Sequence, residues 1–534
     1  MKQRKVRSFK AKRFWQNQDG AVAATYALAL IPIIALAGLA FDYTRLAGMD
    51  TELQNAADQA ALAGATQLDR RPGAIERAIA AIQGGLVDNS TLFANDSADQ
   101  TVNITDTTQI VFYNTRADAE AGTNPILASE TGRFAEAGFV QVTVDTRAAN
   151  YALTPIVGAV RGSINAEAVA GLGSAVCRVP PLMVCNPEEP GTPAGATPFD
   201  ADAYEGQGLL AKPGGGGKWT PGNYGYLDIG PNGATGVRQA LGWDGPPGEC
   251  ISQSGVDTID VDTQTGNIAS GPRAINTRFD VYDSNGCVSG GSCSPARNVR
   301  KDLMRKLTAT PATGNACDIH NSGWEEPANA YHPTAVAPYT GTIDSMGHPR
   351  NICHAVEDGT TGECKDDPFG GGTNWDRAAY FRTHYGASFD WAGTTGLGAN
   401  VTRYKTYLYE LDNIATALAD TTAGNGGNTR TTRNQPVCGQ QYGWNPGTTS
   451  QDRRVMTVAV INCNLHNVSG NSTNVPVQTW MDVFLVQPSY ARGSGGKFTK
   501  QDEIYVEIIG EANINNTGTV GGPLIRRDQP YLVK

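Results

Sequence analysis

From Gly20 to Phe41 the chain carries no charged residue, and this run passes without a turn signal into a second, differently patterned helical stretch. These 22 positions suffice to cross a hydrocarbon core of about 30 Å at about 1.5 Å per residue. Pro32 removes one helical hydrogen bond, which membrane helices tolerate. Beyond Asp42, the residues Leu53, Ala56, Ala57, Ala60, Ala61, Gly64 and Leu68 recur at three- and four-residue steps. Asp50, Gln54, Asn55, Asp58 and Gln59 occupy the other faces. The stripe is built mainly from Ala and Gly, so a neighbouring helix or sheet can come close. Arg70-Arg71-Pro72-Gly73 ends the pattern, and a continuous rod over residues 21–68 would be about 70 Å long. Two plainer readings compete. Gly38-Leu39-Ala40 would serve as a signal-peptide cleavage site, although the apolar run exceeds the usual core of about 7–15 residues. The second stretch could also be an ordinary core helix that follows a membrane span.

Charge orients the span. Lys2, Arg4, Lys5, Arg7, Lys10, Lys12 and Arg13 precede it, and the first acid is Asp19. The positive-inside rule places residues 1–19 in the cytoplasm and the body across the membrane. Removing those seven leaves 35 basic against 52 acidic residues, a net −17. An acidic body lacks the basic face that phosphate binding requires, so nucleic acid is excluded as its partner.

The segment resembles the N-terminal part of the TadE/TadG-like proteins of the Tad (Flp-type) pilus-assembly system. The resemblance rests on Phe14, Gly20-Ala21-Val22-Ala23, Gly38, Ala40, Asp42-Tyr43 and the block Gln54 through Ala63, in that order. It implies a non-enzymatic, single-pass protein of a bacterial inner membrane, with its bulk periplasmic or surface-exposed. Its partners would be the membrane and other pilus-assembly proteins or pilin subunits, with homo-oligomers left open. Gly38, Asp42, Tyr43, Ala57, Ala61 and Ala65 would carry packing in the membrane and stalk, the small stripe receiving partner helices. Two departures matter. The matching pilin pattern is cut after Gly20, before Ala21, and has a Glu where this chain has Thr25, so processing and polymerisation are not implied. The Asp-x-Ser-x-Ser metal motif of von Willebrand A domains, common in long TadG-like proteins, occurs nowhere in the chain.

The remainder reads as an α+β chain in four parts: a basic tail (1–19), a membrane helix (20–41), a stalk with a small α+β module (42–175), and a large loop-rich head of mixed helices and strands (176–534). Residues 74–87 read as a short helix and 109–115 as a strand, followed by strand, helical turn and strand over 139–173. Near the C-terminus, 453–465, 479–489 and 502–512 read as strands, the last covered on both faces. Residues 300–307 and 403–419 read as helices.

All ten cysteines lie in the head: Cys177, Cys185, Cys250, Cys287, Cys293, Cys317, Cys353, Cys364, Cys438 and Cys463. An even number in the exported part points to disulfides in an oxidising compartment. The close pairs Cys177/Cys185, Cys287/Cys293 and Cys353/Cys364 could be local staples, but the connectivity stays open. Chemistry beyond disulfides has weak signals. Cys353, His354 and Cys364 cluster as metal ligands might, but with no standard zinc spacing. The acids of 257–267 and 280–286 are spaced like calcium loops yet lack the Glu at the twelfth position. The Gly-rich run before Trp219 lacks the Ser or Thr of a phosphate loop. The expectation is therefore no cofactor, no metal and no catalytic residues. A surface adhesin or minor pilin released after Gly20 is the alternative, and an exported hydrolase using one of the six histidines is the third reading. The tryptophans of the head are expected in its core.

Overall fold

A computed structural model describes residues 21–85, 92–96, 101–152 (other than 103 and 105), 161–177, 181–229 (other than 193–194 and 215–216), 233–245, 250–253, 260–283, 287, 290–307, 314–355 (other than 321), 364, 369, 374–393, 396–425, 428–446, 452–512 and 525–533. The basic tail and Gly20 lie outside them. The chain divides into two units, one of residues 1–173, 254–257 and 528–534, the other of 174–253 and 258–527.

The first unit is organised by helix α1 (Ala21–Ala65), 45 residues without a break and with Pro32 inside it. Apolar side chains from Val22 to Phe41 stand free of the globule; only 6% of the most apolar window is buried. From Met49 onward one face of α1 is core. Leu53, Ala57, Ala61 and Ala65 are fully buried. A turn through Arg70 and Gly73, both at positive φ, reverses the chain into α2 (Ala74–Gly85). Ile75, Ala78 and Ile82 of α2 are buried in the same cluster as the α1 stripe. The other wall is an antiparallel sheet of β1 (Ile110–Tyr113), β2 (Ile126–Leu127), β3 (Phe139–Thr143) and β6 (Glu167–Cys177), in the order β6-β3-β1-β2. Short helix α3 (Arg116–Ala121) follows β1; the Thr115 side chain caps its start and Gly122, at φ 67°, ends it. Part of the stretch read as a helical turn after β3 falls on residues outside those described, and strands flank it. β4 (Arg147–Asn150) pairs antiparallel with β5 (Arg161–Ile164), the residues 153–160 between them lying outside those described.

The second unit is built on a seven-stranded sheet. Its members are β7 (Met183–Cys185), β8 (Gly208–Lys212), β9 (Asn223–Asp228), β11 (Asp260–Thr265), β16 (Val455–Ile461), β17 (Val475–Leu485) and β18 (Ile504–Glu511). The order is β7-β16-β17-β11-β9, with β18 joining β17 to β8. All seven residues of β16 are buried and six of the first seven of β18, as expected for strands covered on both faces. Strand β10 (Cys250–Gln253) pairs with the last four residues of β6. A smaller sheet holds β12 (Met304–Lys306), β13 (Trp324–Glu325), β14 (Thr422–Asn425) and β15 (Asn428–Thr431).

Three helices are placed in this unit by their buried faces: α4 (Gly233–Gly242), α5 (Arg377–Tyr385) and α6 (Arg403–Asp412). A one-turn α7 (Ile414–Ala417) follows α6 after Asn413, so the helix read over 403–419 is found as two segments that end at Ala417. The helix expected over 300–307 is absent: its end is strand β12 and its start is irregular, with a bend at Asp302. The last strand, β19 (Ile525–Leu532), pairs with β6, and the Val533 N–H donates to the Val169 carbonyl at 2.7 Å. The chain thus returns to its first unit.

Candidate functional site: the anchor helix and its module

The two halves of α1 face different solvents. Ten large apolar side chains from Val22 to Phe41, among them Leu28 at 73% and Leu36 at 67% exposure, stand exposed among the described residues. Removing such side chains from water is worth about 8–15 kcal/mol together, even when each is counted at half its full burial. A folded domain is stable by only about 5–15 kcal/mol, so this face calls for an apolar solvent of its own. Helix α1 is long and apolar enough to cross a membrane. Within this half, the Thr25 hydroxyl donates to the Val22 carbonyl at 2.9 Å, which satisfies it inside the helix.

At the junction, Asp42 is 1% exposed and accepts from the Ala152 N–H, whereas Tyr43 stands 70% exposed. Gly38 is buried one turn earlier. Arg45 Nε donates to the Phe93 carbonyl at 3.0 Å, and the Glu52 carboxylate accepts from the N–H groups of Leu92 and Phe93 at 3.0 and 3.2 Å. The Phe93 ring lies so close to Gly48 that a Cβ there would meet it at 2.9 Å. Further down, Gln54 Nε2 donates to the Glu167 carbonyl of β6 at 3.2 Å.

The small-residue stripe is occupied, and this corrects the expectation that partner helices fill it. Ala57, Ala61 and Ala65 are sealed by the chain's own α2 and sheet, and a Cβ on Gly64 would meet Ile82 Cδ1 at 2.7 Å. The signal for this was present in the sequence, since Ile75, Ala78 and Ile82 also recur at helical steps. Gly20 falls outside the described residues, and Ala21 opens α1.

Residues 20–67 match the family model for the putative Flp pilus-assembly TadE/G-like proteins. No curated protein and no solved structure shows a significant match to the chain. The matched stretch coincides with α1 and the turn that ends it, so a TadE/G-like segment forms the apolar rod and one wall of its module. That segment points to a pilus-related role.

In the head, four disulfides are described: Cys185–Cys463, Cys287–Cys293, Cys317–Cys438 and Cys353–Cys364. The suggested Cys177/Cys185 staple is therefore replaced by a bond across 278 residues, made because β7 lies beside β16 in the sheet. Cys353, His354 and Cys364 do bring their ligand atoms within 4.8 Å, but both sulfurs are bonded to each other and neither is a thiolate. The calcium-like acids have other uses. Asp280 is fully buried and accepts from the N–H groups of Val437, Cys438 and Gly439 at 2.7–3.0 Å. Asp260 and Asp262 lie in β11, and Asp262 accepts from the Asn474 N–H.

A histidine and an acid do converge, though not where solvent reaches them. His348 Nε2 lies 3.8 Å from Glu410 Oε2, with Arg300 and Tyr380 on the same carboxylate, and all four residues are at most 2% exposed. Burial and the surrounding guanidinium groups hold the His348 imidazole well below its usual pKa, so it is a neutral ring stacked on Tyr380. Arg403–Glu507 and Arg350–Glu503 are similarly buried pairs, at 2.8 and 2.9 Å. These networks fix loops of the head to its sheet. Trp324, Trp375 and Trp480 are core residues, and no described tryptophan of the head is fully exposed.

Proposed function

We propose that this protein is a membrane-anchored, non-enzymatic component of a Tad/Flp-type pilus-assembly or secretion apparatus. The apolar half of α1 spans the inner membrane with residues 1–19 in the cytoplasm, and the disulfide-bonded head stands in the periplasm. The observation that carries this reading is the coincidence of the TadE/G-like match with one unbroken helix, bare at one end and built into a module at the other. Since the small stripe is used internally, partners are met through the exposed faces of α1 and through the head. The rod anchors the chain in the bilayer while the head engages pilus subunits or other assembly proteins.

The test combines fractionation, N-terminal sequencing and piliation of a deletion strain. The expected outcome is a membrane-retained chain beginning at the cytoplasmic tail, with loss of pili when the gene is removed. A mature chain starting at Ala21 and recovered in sheared surface fibres would favour the minor-pilin reading. Full piliation and unchanged secretion in the deletion strain would overturn a role in assembly.

A further inference from the structure

Inside the second unit a fully buried lysine meets a partly buried asparagine and a partly buried acid. Lys212 closes β8 with a side chain that has no exposed surface. Its Nζ donates to the Pro213 carbonyl at 2.8 Å and to Oδ1 of Asn267, in the loop that leaves β11. Asp502, two residues ahead of β18, places Oδ2 at 3.8 Å from the same Nζ, its side chain 15% exposed. Gly214 lets the acids approach, because a Cβ there would meet Asp502 Oδ1 and Glu503 Cγ at 2.7 Å each. Nearby, the Tyr226 hydroxyl is buried with no hydrogen-bond partner among the described residues, and burial together with the Asp502 charge raises its pKa.

An ammonium in such a place is normally held by a carboxylate in direct hydrogen-bond contact, because an unpaired buried charge is costly. Here the direct side-chain contact is an amide, and the carboxylate stands one step back. Burial pushes the Lys212 amine below its usual pKa, toward the neutral form that is a nucleophile. An amine, an amide carbon and a proton relay held together by the fold are the parts of an acyl transfer run by proximity.

We propose that Lys212 and Asn267 are joined by an intramolecular amide bond that the folded chain makes for itself. The Asp502 carboxylate takes one proton from the Lys212 ammonium, and the neutral Nζ adds to Cγ of Asn267. As the tetrahedral centre collapses, the Cγ–Nδ2 bond breaks and the new Nζ–Cγ amide remains. Asp502 hands its proton to the departing nitrogen, which also takes the second proton of Nζ and leaves as ammonium. Nothing is oxidised or reduced, and the product is lighter than the starting chain by one ammonia. The bond ties the end of β8 to the loop after β11, and unlike the four disulfides it is indifferent to reductant. The inference does not depend on the pilus reading.

Peptide mapping of the full-length protein, purified in detergent and then reduced and alkylated, tests it. Trypsin does not cut at Lys212, which precedes Pro213, so the tryptic fragments are 179–218 and 239–273. They should be recovered as one branched species, short of their summed mass by one ammonia. In Asn267→Ala the two fragments should separate completely, and in Asp502→Ala the branched fraction should fall from most of the material to little or none. Recovery of two unmodified fragments from the wild-type protein would overturn the bond. A branched fraction undiminished in Asp502→Ala would overturn the proposed proton relay.

Discussion

Asp42 and Ala152, 110 residues apart in the chain, are joined by a 2.9 Å hydrogen bond from the Ala152 N–H to Asp42 Oδ1. The carboxylate sits where the apolar half of α1 gives way to the packed half, and it is buried. It fixes the loop after β4 to the helix at the place where the protein leaves its apolar solvent.

Replacing this acceptor tests its role. Asp42→Ala leaves a backbone donor without its charged partner, which costs about 1.5–3 kcal/mol. The first unit should become more sensitive to limited proteolysis after β4, while membrane retention is unchanged. Asp42→Asn, which keeps an oxygen acceptor, should recover most of the loss.

The interior of the stripe gives a second expectation. Ala61→Leu inserts three carbons where α1 meets the chain's own core, and overpacking of this kind costs about 1–3 kcal/mol. Thermal unfolding of the first unit should shift downward, and the same size of change at exposed Leu36, made as Leu36→Ala, should leave it unmoved. An unshifted Ala61→Leu unfolding curve would contradict the internal seating of the stripe.

Disulfide removal should be graded by position. Cys463→Ser opens a link across 278 residues beside the central sheet and should cost about 2–5 kcal/mol, read from denaturant midpoints of the head. Cys287→Ser opens a link across 6 residues and should cost less, since a short loop restrains the unfolded chain less. With eight cysteines in four bonds, Cys177 and Cys250 remain, and they are Cα partners in the antiparallel register of β6 and β10. Non-reducing peptide mapping should find these two linked.

Lys301 sets a pH dependence. Its Nζ lies 3.6 Å from the Trp324 ring centre and donates to the Val299 carbonyl, and burial lowers its pKa to about 7. A lysine whose folded pKa is depressed favours the fold when neutral. That contribution is complete above the unfolded value near 10.4 and is lost as pH falls toward about 7. Lys301→Met should therefore raise the unfolding temperature of the head, with a gain that grows from pH 10 down to pH 7 and then levels off. A gain independent of pH over this range would show that the lysine is not buried as a neutral amine.

What the sequence disclosed follows from periodicity. The 45-residue helix announces itself because an uncharged run passes without a turn signal into a stripe of helical spacing, and β16, β17 and β18 do so because apolar residues fill them. The stripe of α1 could be read, but not its occupant, since a helical period states that a face is covered and is silent about by what. Residues 300–307 misled for a different reason. Asp302 accepts from the Gly347 N–H and pairs with Arg492, and Arg305 Nε donates to the Ala316 carbonyl. Charged side chains satisfied by distant segments leave no local pattern, so a polar run that looks like a solvated helix is a buried, non-helical stretch. The same holds for Cys185 and Cys463, whose meeting depends on strand order alone.

The pairing of β19 with β6 has a consequence for how such a protein can change over time. The outgoing and homecoming strands are neighbours, about 5 Å apart in a sheet. The stretch between them is therefore an insertion in the sequence, and a different domain whose two ends emerge a strand's width apart could take its place.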